Sequence, residues 1–233
     1  MTLRKTLRAT AKRWRRTLFE WAGSDRYSCL ALNALDRKLA AHIADRDCLF
    51  IEAGANDGLT QSNTYWFERF RGWRGILVEP VPVMAHACRR NRPRAQVVNT
   101  ALVATDQVKS VRMKAANLMA FVSNSFANPD DEKRHLGNAI SVQNLAAVEE
   151  LEVPARTLSS IIDQLATKRV DLLSLDVEGY EVEVLRGMDI TRHRPRYILV
   201  ETGKVDAVLE TLGGHYDVID QLTGHDYLLR AKQ

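Results

Sequence analysis

The residues best placed for chemistry are acids at the ends of short apolar runs. The run Cys48–Ala53 leads into Gly54-Ala55-Asn56-Asp57-Gly58, with Glu52 near its end. Glycines let a backbone turn sharply and come close to a ligand, and the open crevice at a strand's carboxyl end is where α/β sheets bind ligands. Glu52 and Asp57 make this turn negative. A pyrophosphate would be repelled there, whereas a ligand with an ammonium and a sulfonium would be attracted. The turn also lacks the GxGxxG spacing that wraps glycines around the pyrophosphate of a nicotinamide cofactor.

Two further run ends extend the pattern. Gly75–Glu79 (GILVE) is followed by Pro80, and an acid at the end of a second strand can accept hydrogen bonds from both hydroxyls of a ribose. Asn99-Thr100-Ala101 closes a third run, with the Asn99 side chain in reach of an adenine edge. The segment Leu175-Asp176-Val177-Glu178-Gly179-Tyr180-Glu181 closes a fourth. Glu181 opens a helix, where the helix dipole favours an acid by about 0.3–1 kcal/mol, so it needs no further role. Asp176 precedes that helix and should face the crevice. Asp176 and Glu178 are the first candidates for a general base, and His193, ahead of the fifth strand, is the third. Asp176, Glu178 and Glu201 are alternatively a set that could gather a divalent cation.

The elements that position these residues alternate. Strands are predicted at Cys48–Ala53, Gly75–Glu79, Ala95–Val103, Val170–Leu175 and Tyr197–Val200. Helices are predicted at Thr60–Phe70, Val83–Asn91, Gly179–Arg186 and Val205–Leu212. Tyr216–Asp220 and Tyr227–Arg230, separated by Gln221-Leu222-Thr223-Gly224, read as a closing hairpin. Strands alternating with helices imply right-handed parallel βαβ units and a sheet covered on both faces. Residues 117–150 break this rhythm and read as a substrate lid or a solvent-facing insertion.

The net charge of +4 is carried by one end of the chain. Within residues 1–21, Arg4, Lys5, Arg8, Lys12, Arg13, Arg15 and Arg16 face a single acid, Glu20. The rest is nearly neutral, which argues against a nucleic-acid-binding body. Leu3, Leu7, Trp14, Leu18 and Trp21 fall near one face of a helix, giving a basic amphipathic arm over residues 1–25 ahead of a domain at 26–233. Such an arm suits peripheral contact with a membrane, packing on the domain or a second copy of the chain, or a targeting role. A second helix is expected from about Cys29 to Ile43. The three cysteines form no CxxC pair, which fits a cytoplasmic protein without disulfides, and the arm would hold it at the inner face of the membrane.

EAGANDGLTQSNTYWFE, GWRGILVEPVP, RTLSSIID and LLSLDVEGYEVEVLRGMD occur in order, and together they resemble the motifs of FkbM-type methyltransferases over roughly residues 48–230. The resemblance implies a Rossmann-like class I methyltransferase fold: a mostly parallel seven-stranded sheet with a C-terminal antiparallel hairpin and helices on both faces. It implies S-adenosyl-L-methionine as donor, with O-methylation of a hydroxyl on a saccharide, glycolipid or related natural product. It places Glu52, Gly54, Ala55, Asn56, Asp57 and Gly58 around the methionine part of the cofactor. Glu79 and Pro80 then belong to the ribose, Asn99 to the adenine, and Asp176 to the reacting centre. The alternative is a non-catalytic methyltransferase-like adaptor tethered to a membrane by the arm.

Overall fold

A computed structural model describes residues 3–115, 120–122, 134, 137, 149–165, 167 and 169–233, with side chains of the first helix from Thr10 onward. Aliphatic runs too short for helices form the central strands. β1 (Leu49–Ala53), β2 (Arg74–Val78), β8 (Leu172–Leu175) and β9 (Tyr197–Glu201) are buried along nearly their whole length, as strands covered on both faces must be. With β3 (Gln96–Val98), β10 (Tyr216–Gln221) and β11 (Asp226–Ala231) they make a seven-stranded sheet in the order β10-β11-β9-β8-β1-β2-β3. The pairs from β3 through β9 are parallel, and β11 runs antiparallel to both β9 and β10. This is the expected sheet with its closing hairpin.

Alternation along β1 divides the core. Phe50 packs on one face with Leu39, Trp66, Phe67 and Cys88, from α2 (Leu35–His42), α3 (Tyr65–Arg71) and α4 (Pro82–Asn91). Ile51 packs on the other with Leu158, Ile161, Val184 and Val208, from α5 (Leu158–Ile162), α6 (Glu181–Arg186) and α7 (Val205–Thr211). Each fully buried large apolar side chain contributes about 1.5–3 kcal/mol. Gly72 closes α3 in the left-handed region at φ 75°, as a helix C-terminus prefers.

Three boundaries differ from expectation. The predicted third strand, Ala95–Val103, is two strands in two sheets. β3 stays in the large sheet, and after Asn99-Thr100 the chain enters β4 (Ala101–Leu102). That strand belongs to a second sheet, ordered β4-β7-β5-β6, with β5 at Ser110–Ala115, β6 at Phe121–Val122 and β7 at Glu149–Arg156. The predicted helix Cys29–Ile43 is a 3₁₀ turn (Leu32–Ala34) followed by α2, because Asn33 and Ala34 sit at φ 52° and 56°. The predicted helix Thr60–Phe70 starts only at Tyr65, because Ser62, Asn63 and Thr64 spend their donors on Glu52. Most of the lid expected over residues 117–150 lies outside the described residues.

The arm is a helix, α1 (Leu3–Trp21). Its last turn is pinned by Glu20, which accepts from Ser28 Oγ and Tyr65 Oη at 2.7 Å each and from Arg69 Nε at 3.2 Å. Trp14, Leu18 and Trp21 point away, 72%, 63% and 85% exposed.

Candidate active site

The carboxyl ends of β1, β2, β8 and β9 surround a cavity of about 240 Å³. Its floor is the turn after β1. Gly54 sits at φ 83° and its Cα passes hard against the Asp176 carbonyl, so a side chain there would overlap that oxygen. Asn56 adopts φ 49°, a left-handed conformation that asparagine tolerates. Its backbone N–H donates to Glu79 Oε2 at 2.8 Å, and Val81 N–H donates to Oε1 at 2.8 Å. Burial lifts the Glu79 carboxyl to about 7 against the pull of those two donors.

Glu52 is spent on structure as much as on charge. It accepts from Ser62 Oγ, Asn63 N and Thr64 Oγ1 at 2.9, 2.8 and 2.6 Å. Fully buried Arg92 braces the same loop. Its guanidinium donates to Gly58 O, Ser62 Oγ and Thr64 Oγ1 at 3.0–3.1 Å, and to Glu68 Oε2 from two nitrogens at 3.0 and 2.8 Å. Asn63 donates to Ser174 Oγ at 3.2 Å, and its buried Oδ1 has no hydrogen-bond partner. That leaves an acceptor free at the cavity wall.

The opposite wall is acidic. Asp176 follows β8, and Glu201 ends β9. The pairing of Leu175 with Val200 brings these acids side by side at the cavity wall. Burial first, then Glu201 and Glu178, hold the Asp176 carboxyl well above the usual carboxylate range. Burial, then Glu201 and Glu181, push Glu178 to about 8; its φ is 56°. The second sheet completes the enclosure with Ala101, Leu102, Met113 and Val122, which are apolar.

Of the residues predicted for the site, Glu52, Gly54, Ala55, Asn56, Glu79, Pro80, Asp176 and Glu178 all line this cavity. Four others do not. Asp57 turns back to accept from Leu59 N, Thr60 N and Thr60 Oγ1, capping its own loop. Gly58, at φ 78°, gives its carbonyl to Arg92. Asn99 donates to the carbonyls of Glu79 and Pro80 at 2.8 Å each, so its amide holds the loop after β2 instead of reaching into the cavity. His193 is buried ahead of β9, at the end of the sheet away from the crevice, with Nε2 3.0 Å from Asp163 Oδ1. As a base it is in the wrong place. Sequence reasoning missed Asn63 and Arg92, whose partners lie far along the chain, and the apolar wall of the second sheet.

Among the described lining residues there are five carboxyl side chains, Glu52, Glu79, Asp176, Glu178 and Glu201, and no Lys, Arg or His. Among the described residues, no group of three or more His, Cys, Asp or Glu side chains is arranged to hold a metal ion, and no helix is long and apolar enough to cross a membrane.

Comparison with known proteins matches residues 52–229 to the methyltransferase FkbM domain, a span that begins at Glu52 and ends inside β11. The chain belongs to the FkbM methyltransferase family. Members of this family take their methyl group from S-adenosylmethionine, and a cavity with five acids and a free amide oxygen fits a donor carrying an ammonium and a positive sulfur. "Methyltransferase 1" of Beauveria bassiana is 28% identical over 153 residues, 61% of this chain and 59% of the relative. "Methyltransferase sdnD" of Sordaria araneosa is 24% identical over 192 residues, 70% and 72% of the two chains. The chain thus spans 59% of the first relative's length. Solved structures similar to it include a TehB-like methyltransferase from Corynebacterium glutamicum, at TM-score 0.43 and 14% identity over 97% of both chains. The methyltransferase PaMTH1 of Podospora anserina aligns at TM-score 0.41 and 14% identity, over 97% of this chain and 87% of its own.

Proposed function

We propose that the protein transfers the methyl group of S-adenosylmethionine to a hydroxyl of a saccharide, glycolipid or related natural product. The reading is carried by a cavity wall with five carboxyls and no cationic side chain among its described residues. Glu52 has Arg92 at 3.7 Å and Glu201 has His225 at 3.3 Å; a buried carboxylate without such a neighbour, as at Glu79, is costly. A cationic ligand offsets that cost, and a dinucleotide phosphate would add to it. The same cost argues against a non-catalytic adaptor, which has no need of such an array.

When bound, the donor supplies an electrophilic methyl group on a positive sulfur. Asn63 Oδ1 is a free acceptor for the donor's ammonium. Glu79 faces the cavity where a ribose needs a carboxylate. Asp176 and Glu178 stand on the wall where an acceptor hydroxyl must lose its proton, and alignment plus proton removal are what the chemistry requires of the protein. Ala101, Leu102, Met113 and Val122 exclude water from the side toward the second sheet.

Calorimetry with S-adenosylhomocysteine and with NAD tests the donor: binding of the first alone is expected, and binding of NAD alone would overturn the reading. Incubation of labelled S-adenosylmethionine with glycan and lipid extracts, followed by mass analysis, tests the acceptor. A label on nitrogen or carbon, with none on oxygen, would replace O-methylation.

We further propose that α1 rests on an anionic lipid surface. Trp14, Leu18 and Trp21 are largely exposed on a helix that also exposes Lys12, Arg13 and Arg15. Each such cation contributes about 1 kcal/mol near an anionic leaflet. Flotation with phosphatidylserine vesicles should retain the chain and lose it after Trp14→Ala and Trp21→Ala together. Equal recovery of both, or a dimer in light scattering that dissociates on those substitutions, would redirect the surface to another use.

A further inference from the structure

The cavity contains a feature that donor binding alone does not require. Asp176 and Glu201 lie at the ends of adjacent parallel strands, one residue beyond the paired Leu175 and Val200. Both residues line the cavity. Two carboxyls that share one site resist ionising together, so one of them keeps its proton more readily than a lone acid would. Among the described lining residues there is no Lys, Arg or His to compensate a second negative charge, which favours one proton on the pair. Among the described residues, the following groups face it. Asp176 meets Glu201, Glu178, Glu181 and Asp226. Glu201 meets Asp226, its cross-strand partner on β11, and His225, whose Nε2 lies 3.3 Å from Glu201 Oε1. His225 is half exposed and also lies 3.8 Å from Asp226 Oδ2.

We propose that Asp176 and Glu201 act as one proton-accepting pair, emptied when a positive sulfur enters the cavity and refilled by the acceptor's proton once that charge is gone. The inference rests on the methyl-transfer reading above. The sulfonium supplies the charge that the cavity lacks, so the second carboxylate becomes affordable and the proton leaves toward solvent past His225. In the transfer the acceptor oxygen forms its bond to the methyl carbon with a lone pair, and the C–S pair stays on sulfur. The hydroxyl proton passes to the ionised pair. The spent donor is then a neutral thioether beside a protonated pair, which is the state the empty cavity also prefers. Glu201 thereby becomes a working member of the site, and the charge of the donor decides when the base exists.

The test needs no acceptor, because S-adenosylmethionine and S-adenosylhomocysteine differ by one methyl group and one positive charge. Calorimetric titration of each ligand in buffers of different ionisation enthalpy counts the protons exchanged. We expect S-adenosylmethionine to release more protons than S-adenosylhomocysteine near pH 7. The affinity ratio of the two should rise with pH, by up to about tenfold per pH unit for one linked proton. Glu201→Gln should remove most of the difference, and His225→Gln should leave it in place. Equal proton counts for the two ligands in the unmodified protein overturn the proposal. So does a difference that vanishes with His225→Gln and survives Glu201→Gln, since the imidazole would then be the titrating group. If neither ligand binds, the donor assignment fails instead. If Glu201→Gln does not fold, the wild-type counts and the pH dependence of the affinity ratio still decide.

Discussion

The Cα of Gly54 lies so close to the carbonyl oxygen of Asp176 that no side chain fits between them. This contact joins the turn after β1 to the end of β8, so the floor and the acidic wall of the cavity are held by one backbone approach. Gly54→Ala has to displace backbone and also hold alanine at φ 83°. Overpacking of this kind costs about 1–3 kcal/mol, and left-handed strain adds about 1–2 kcal/mol. We expect a lower melting temperature and at least a tenfold loss of affinity for S-adenosylhomocysteine by calorimetry. An alanine variant with wild-type affinity would show that the approach does not shape the site.

Asn63 offers a gentler probe. Its Oδ1 has no partner, whereas its amide nitrogen bonds only Ser174 among the described contacts. Asn63→Ala should weaken S-adenosylmethionine and S-adenosylhomocysteine alike, by about tenfold for a lost hydrogen bond to a charged group, because both carry the same ammonium. A selective loss of one ligand would place Asn63 elsewhere around the donor.

Glu79 makes the ligand-free protein sensitive to pH. Its folded value of about 7 lies above the ordinary 4.5, so the native state binds more protons than the unfolded chain between those values. Stability therefore falls as pH rises from about 4.5 through 7. Glu178, raised to about 8, extends the same trend upward. Asp25 is held low chiefly by its hydrogen bond from Trp66, and it works in the opposite sense at more acid pH. A melting series from pH 5 to 9 should decline through neutrality without ligand and flatten with saturating S-adenosylmethionine. A curve unaffected by the ligand would contradict this charge balance.

Arg92 tests the loop brace. It is fully buried and donates to Glu68, Gly58, Ser62 and Thr64 at once. Arg92→Met leaves Glu68 and Glu52 without their cation, and breaking a buried pair in this way costs about 3–5 kcal/mol. Urea unfolding should register that loss, and Arg92→Lys should recover only part of it because an ammonium cannot fork to several acceptors. A loss below 1 kcal/mol would mean the acids re-solvate easily.

Local signals were enough to read the large sheet. Apolar runs such as Phe50–Ala53 and Leu172–Leu175 become its central strands, and the acids that end them reach the cavity. Contacts between distant segments were not legible. Nothing near Asn99 announces that its amide is claimed by two carbonyls of another loop, and nothing near His193 says that it lies at the far end of the sheet. Thr60–Phe70 has helical composition, yet Glu52 unwinds its first turn from a position eight residues earlier. The second sheet left a signal only in β5 and β7, where Val111 and Met113, and Leu151 and Val153, alternate with polar neighbours; β4 and β6, two residues each, show no period.

The short step from Val98 to Ala101 carries the chain from one sheet into another. The sheet that bears the acids of the cavity and the sheet that bears its apolar wall are consequently separate building blocks joined at Asn99-Thr100. Exchange of the segment between Val103 and Arg156 among relatives would leave every carboxyl of the cavity untouched. A chimaera spliced at those points would change the apolar wall while keeping every acid of the other.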